Sequence, residues 1–110
     1  MIPERFLNQA PNPKKLVCIH YFAKWCTACE SMAKEIQNIQ AEFKDCDFKT
    51  VDIELNISES DVTSILVLPT VNIYFQNELK YKVAGYSEGA LKDALENVLN
   101  EIRLQQTTIR

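Results

Sequence analysis

The sequence predicts an α/β domain in which helices cover both faces of a central sheet. Three observations carry that expectation. The run Leu16 to Phe22 is apolar or nearly so on both faces, which suits a central strand better than an edge. Met32, Ile36, Ile39 and Phe43 then recur at helical spacing, with Lys34, Glu35, Gln37, Asn38 and Glu42 elsewhere around the cylinder. Further along, strand-like and helix-like periodicities alternate, giving the order strand, helix, strand, helix, strand, strand, helix.

Each element has its own local signals. Residues 1–15 contain Pro3, Pro11 and Pro13 and read as an irregular N-terminal segment with one short helical turn around Glu4 to Gln9. After the first strand and the amphipathic helix, a second strand is expected over about Phe48 to Ile53. Ser58, Glu59, Ser60 and Asp61 offer capping side chains for a short helix through about Leu66. Pro69 opens the β-prone run Thr70 to Phe75, and Gln76-Asn77 supplies a turn into Leu79 to Val83. Apolar and charged residues alternate in that last run, so the hairpin shows one face of its second strand to solvent. Ser87 is placed to cap a final helix with Leu91, Leu95, Val98, Leu99 and Ile102 as its buried stripe, and 104–110 reads as a fraying tail. No repeat, low-complexity run or linker divides the chain, and a single domain over residues 1–110 is expected.

Composition narrows the functional classes. With 110 residues, 46% hydrophobic and 25% charged, the chain has enough apolar sequence for one core without covalent staples. Its four cysteines are therefore not read as a structural disulfide framework. The net charge of −3 and a pI near 5.1 leave no basic footprint for nucleic acid. The N-terminus has charges and a proline where a signal peptide needs an apolar run, and no stretch approaches the ~20 apolar residues of a membrane span. A cytoplasmic, reducing environment is expected, with no membrane partner and a monomeric chain.

The chemistry is concentrated in Trp25-Cys26-Thr27-Ala28-Cys29, where the first strand gives way to the amphipathic helix. A helix start leaves backbone N–H groups unpaired and carries partial positive charge, which favours a thiolate at Cys26. Cys29 follows by almost one helical turn, so it lies beside Cys26 and is able to close a disulfide with it.

The element order and several separate motifs together resemble the thioredoxin family. The motifs are Ala23-Lys24-Trp25-Cys26-x-x-Cys29, Val51-Asp52-Ile53, Leu68-Pro69-Thr70 and Val83-Ala84-Gly85, and the resemblance covers roughly Leu16 to Ile102. It implies a thioredoxin fold with a mixed central sheet of four or five strands. The N-terminal strand is short or absent, with residues 2 to 7 as its only substitute. It further implies a thiol–disulfide oxidoreductase that reduces protein disulfides. Cys26 would be the exposed nucleophile and Cys29 the resolving cysteine, with electrons from a thioredoxin-reductase-like donor and no metal or bound cofactor. Trp25, Thr27 and Ala28 would border the substrate. Pro69, cis by resemblance, would place the backbone of Leu68 against an extended substrate segment, and Gly85 would let a third loop approach closely.

Two departures from the family pattern matter. Thioredoxins usually carry Gly-Pro where this chain has Thr27-Ala28. Alanine restores a backbone N–H near the Cys26 sulfur, so a more acidic Cys26 and a more oxidising couple are expected. His20 stands where the family usually places a buried Asp that takes the proton of the resolving cysteine, and Thr50 stands where Lys or Glu is common nearby. By alternation His20 shares a face with Cys18 and Phe22. It is read either as a neutral base for Cys29 or as a hydrogen-bonded core histidine with no catalytic part. Cys18 reads as a small buried residue, and Cys46 as part of an exposed turn whose acidic neighbours disfavour a thiolate. A zinc site from Cys18, His20, Cys26 and Cys29 is disfavoured because two of the ligands lie within a central strand. The competing functional readings are a binding module that uses the groove near Trp25 and Pro69 without redox turnover, and a disulfide oxidase or isomerase.

Overall fold

Alternation along β1 (Leu16–Phe22) decides how the two cores are built. In the computed structural model, which describes residues 2–7 and 15–108, Leu16 and Cys18 face one helical layer while Val17, Ile19 and Tyr21 face the other. Six of the seven residues of β1 are buried, as a strand covered on both sides requires. The element order is α1 (Glu4–Leu7), β1, α2 (Thr27–Ile39), β2 (Cys46–Asp52), α3 (Ser60–Thr63), β3 (Thr70–Phe75), β4 (Glu78–Ala84) and α4 (Ala90–Thr108). The strands form a mixed sheet in the order β2-β1-β3-β4, with β1 and β2 parallel and the remaining pairs antiparallel.

On one face α2 contributes Met32, Ile36 and Ile39, and α4 contributes Leu91, Ala94, Leu95, Val98 and Ile102; these close over Leu16, Cys18, Val71, Ile73 and Val83. Each fully buried aliphatic side chain here adds about 1.5–3 kcal/mol relative to exposure, which is why short helices with little intrinsic stability hold. The opposite face is smaller. Ile2 and Val62 pack there on Ile19, Tyr21, Val51 and Tyr74. Tyr21 donates its hydroxyl to Asp61 Oδ2 at 2.6 Å, tying α3 to the central strand.

Several boundaries differ from the sequence expectations, each for a local reason. Cys46 is not in an exposed turn. The chain folds back after α2 so that Cys46 N–H donates to the carbonyl of Phe43 and Leu16 N–H to that of Asp45, and β2 starts at Cys46, which is buried. Phe43 belongs to the core but lies beyond the end of α2. The helix α3 ends at Thr63 rather than Leu66. Its N-cap is Glu59, without a side-chain cap hydrogen bond, and the hydroxyls of Thr63 and Ser64 donate back to the carbonyls of Ser60 and Asp61 at its end.

Residues 4–7 form the expected helical turn and no substitute strand, so the sheet has four strands among the described residues. Residues 8–14, including the end of the expected turn, lie outside those residues. At the other terminus the expected fraying tail is helical through Thr108.

The hairpin turn has positive φ at both Gln76 (50°) and Asn77 (68°), and Asn77 also accepts the N–H of Ile2 on its side-chain oxygen. A register shift in β4 sets Tyr81 opposite Ile73 and Leu79 opposite Tyr74. Lys80 is the extra residue, and Leu79 and Tyr81 are both exposed.

The start of α4 is also held differently from expectation. Ser87 accepts the N–H of Ala90 through its carbonyl, and Gly89, at φ +82°, donates its N–H to Glu35 Oε1 on α2 at 3.1 Å. Tyr86 hydroxyl donates to the same oxygen at 3.3 Å. A carboxylate from a neighbouring helix thus takes the position a local cap would have filled.

Candidate active site

The polypeptide turns out of β1 at Ala23 and enters α2 at Thr27, which makes Cys26 the N-cap residue of that helix. Its backbone is extended (φ −91°, ψ 107°), and its Sγ accepts the N–H of Cys29 at 3.1 Å. That first-turn N–H is shared, since it also donates to the Cys26 carbonyl at 3.1 Å. Cys26 and Cys29 are joined as a disulfide, with Cα atoms 5.2 Å apart. Cys26 exposes 7% of its surface and Cys29 3%. The first sulfur is thus a small aperture rather than the openly exposed side chain expected, and the second is the more enclosed. No hydrogen bond from Ala28 N–H to this sulfur is present, so the extra donor expected from Thr27-Ala28 is not engaged in the disulfide form.

Around the pair, Ala23 packs beneath, and Ala28, Ile53 and Leu68 pack alongside. The Leu68-Pro69 bond is cis. Pro69 presents its carbonyl to the N–H of Gly85 at 2.7 Å, which joins the cis-proline loop to the loop after β4. Gly85 sits at φ +82°, and a Cβ there would meet its nearest neighbour, Val67 Cγ1, at 4.0 Å. Within the fold, the need for glycine at this position is therefore conformational. Trp25 is 68% exposed, and its indole N–H donates to Glu54 Oε2 at 3.1 Å. Glu54 is positioned in turn by Asp52, whose Oδ1 accepts the Glu54 N–H at 2.9 Å.

His20 lies below the disulfide. It is buried, with its ring centroid 5.7 Å from that of Phe22, and it shares with Cys29 a cavity of about 250 Å³ bordered by exposed Lys24, Glu30 and Ala33. Its Nε2 is buried and has no hydrogen-bond partner. Burial pulls its pKa down from 6.5 to about 4, leaving the ring neutral at neutral pH. Thr50 is its exposed register partner on β2.

Cys18 and Cys46 lie apart from this site, in the core between the sheet and α2 and α4. A hydrogen bond with Cys46 and then burial push the Cys18 thiol well above the ordinary range. Among the described residues no group of three or more His, Cys, Asp and Glu is arranged to hold a metal ion. A larger hollow of about 540 Å³, bordered by Phe43, Asp45, Glu96 and Arg103, shares no residue with the disulfide site.

A strand-to-helix cysteine pair beside a cis-proline loop is a combination that known proteins share. A family model described as Thioredoxin matches residues 1–101. The chain belongs to the thioredoxin family. Its relatives include the thioredoxin of Geodia cydonium, 30% identical over 83 residues that make up 74% of this chain and 78% of that one. A thioredoxin of Buchnera aphidicola from Acyrthosiphon pisum is 29% identical over 102 residues, 88% and 92% of the two chains. Among solved structures, the thioredoxin of Trypanosoma brucei brucei superposes with a TM-score of 0.73 at 25% identity, covering 88% of this chain and 85% of that one.

This thioredoxin-family chain is accordingly a thiol–disulfide oxidoreductase, a protein-disulfide reductase whose substrates are disulfide-bearing proteins and whose electrons come from a reductase. No helix among its described residues is long and apolar enough to cross a membrane. The sequence singled out the cysteine pair, Trp25, the proline loop and His20. It missed Glu54 as the partner of Trp25 and Glu35 as the anchor of α4, because both act on residues distant in sequence and neither sits in a local pattern.

Proposed function

We propose that Cys26 is the attacking sulfur, Cys29 the resolving one, and the disulfide between them the oxidised end of one catalytic cycle. In the reduced protein, Cys26 thiolate attacks a substrate disulfide, forms a mixed disulfide with one substrate sulfur and releases the other as thiolate. Cys29 then loses its proton and attacks Cys26 Sγ, which frees the second substrate sulfur and restores the Cys26–Cys29 bond. Two electrons have passed to the substrate. A reductase that draws on NADPH returns them.

The observation that supports these roles is the placement of Cys26 Sγ at the N-cap of α2, where it accepts a backbone N–H and keeps more surface than Cys29. A donor aimed at that sulfur stabilises negative charge on it, both as attacking thiolate and as leaving group. His20 is the proton acceptor for Cys29. A ring with a pKa of about 4 does not hold that proton at rest, since an ordinary thiol retains it by about 6 kcal/mol, so transfer accompanies sulfur–sulfur bond formation. Trp25, Thr27, Ala28, Leu68, Pro69 and Gly85 border the groove that receives an extended substrate segment. The environment is a reducing one, the cytoplasm.

Insulin reduction by dithiothreitol tests the assignment. Wild type accelerates it, Cys26→Ser returns the rate to background, and Cys29→Ser accumulates a mixed disulfide with substrate. Equal rates for wild type and Cys26→Ser would leave only a binding role for the groove.

A further inference from the structure

The outer edge of β2 plays no part in the chemistry above. In the order β2-β1-β3-β4 this strand is paired on one side only, and among the described residues no strand pairs with the other. An unpaired edge offers a row of backbone donors and acceptors to any extended segment of matching length. Which segment fits is written in the side chains.

Within β2, Asp47-Phe48-Lys49 places opposite charges symmetrically about Phe48. When β2 is laid antiparallel against a copy of itself with Phe48 on the axis, Asp47 stands opposite Lys49, a pair that occurs twice by symmetry. The two Phe48 rings, each partly buried against its own core, meet at the centre. Other registers lose this match. Centring on Asp47 or on Lys49 sets like charges face to face. Edges that only repel other strands carry charge of one sign or an inward lysine; here opposite signs are spaced so that the edge complements itself.

We propose that this chain self-associates through β2, in place of the monomer expected from the sequence, as a two-fold dimer with one continuous sheet of order β4-β3-β1-β2-β2-β1-β3-β4. The contact is one strand wide, so the association is weak and concentration-dependent. Because the two strands run antiparallel, the two cysteine pairs lie at opposite ends of the shared sheet, and both grooves stay open. Lys15, whose Nζ is 3.5 Å from Asp47 Oδ1, already lies beside this pair within one copy, and the partner copy's lysine extends that contact.

Sedimentation equilibrium from micromolar to millimolar protein tests the proposal. Wild type rises from 12.6 kDa toward twice that mass. Asp47→Lys and Lys49→Glu, taken separately, each weaken self-association about tenfold or more, because each sets like charges opposite one another. An equimolar mixture of the two variants regains the dimer mass, since each supplies the sign the other lacks. The mixture also separates pairing from local damage, because Asp47→Lys sets its new lysine beside Lys15 within one chain. Insulin reduction stays at the wild-type rate throughout. A wild type that remains at 12.6 kDa, single variants that dimerise as wild type does, or a mixture that stays monomeric would each overturn the proposal.

Discussion

His20→Leu should flatten the acid side of the stability profile. The chain has a single histidine, so between pH 5 and pH 7 this ring is the side chain whose ordinary titration range is crossed. Its folded pKa, about 4, lies below the 6.5 of an unfolded histidine because burial disfavours the charged ring. Above 6.5 the ring is neutral in both states and the folded protein loses nothing. As pH falls below 6.5 the unfolded chain takes up a proton that the folded chain refuses, so stability drops until the folded pKa is reached. Taking 6.5 and about 4 as the two values, this loss is about 2 kcal/mol at about pH 5 and about 3 kcal/mol at about pH 4. Urea unfolding followed by circular dichroism at several pH values, for wild type and His20→Leu, measures it. The difference between the two proteins should grow toward acid by those amounts, the carboxylates being common to both. Parallel curves would show that His20 titrates normally and that its burial has been misjudged. Under the proposed mechanism, disulfide reduction by the same variant also changes its pH dependence; an unchanged profile would remove His20 from the reaction.

Three further outcomes follow from the geometry. Gly85→Ala should lose about 1 kcal/mol in urea unfolding, all of it from the positive φ, because its nearest neighbour is 4.0 Å away; a loss above about 3 kcal/mol would mean a steric contact instead. Glu35→Ala leaves the Gly89 N–H and the Tyr86 hydroxyl without their acceptor and should cost about 1–2 kcal/mol, whereas an unchanged melting temperature would show that α4 does not need this anchor. Thr27→Gly/Ala28→Pro removes the Ala28 N–H, a first-turn donor open to a Cys26 thiolate, and equilibration with glutathione should give that variant a lower reduction potential than wild type. Equal potentials would show that Ala28 stays unengaged in the reduced form too.

What was legible in the sequence was whatever rests on periodicity or on a motif local in the chain. β1 was readable because both of its faces are apolar, and the Gln76-Asn77 turn because few residues accept positive φ. Cys26, Cys29 and the Leu68-Pro69-Thr70 loop announce themselves by residue type and spacing. The misreadings occurred where tertiary contacts override local preference. Cys46 looked exposed among Lys44, Asp45 and Asp47, but the return of Phe43 into the core pulls the strand start to Cys46 and turns its side chain inward. Ser87 looked like a cap, yet Glu35 from another helix fills that role. The bulge at Lys80 sets Leu79 and Tyr81 on opposite faces of an edge strand, which simple alternation did not show. His20 was placed correctly by alternation, while its lack of a partner at Nε2 depended on side chains from other elements.

The two thiols sealed between β1, β2 and the helices give this molecule an internal stopwatch. With Cys18 and Cys46 both buried and Cys18 held in its protonated form, an alkylating reagent reaches them only when the sheet parts from its helical cover. Their labelling rate therefore reads out how often the native chain opens, under conditions where it is folded nearly all the time and without denaturant or any engineered probe.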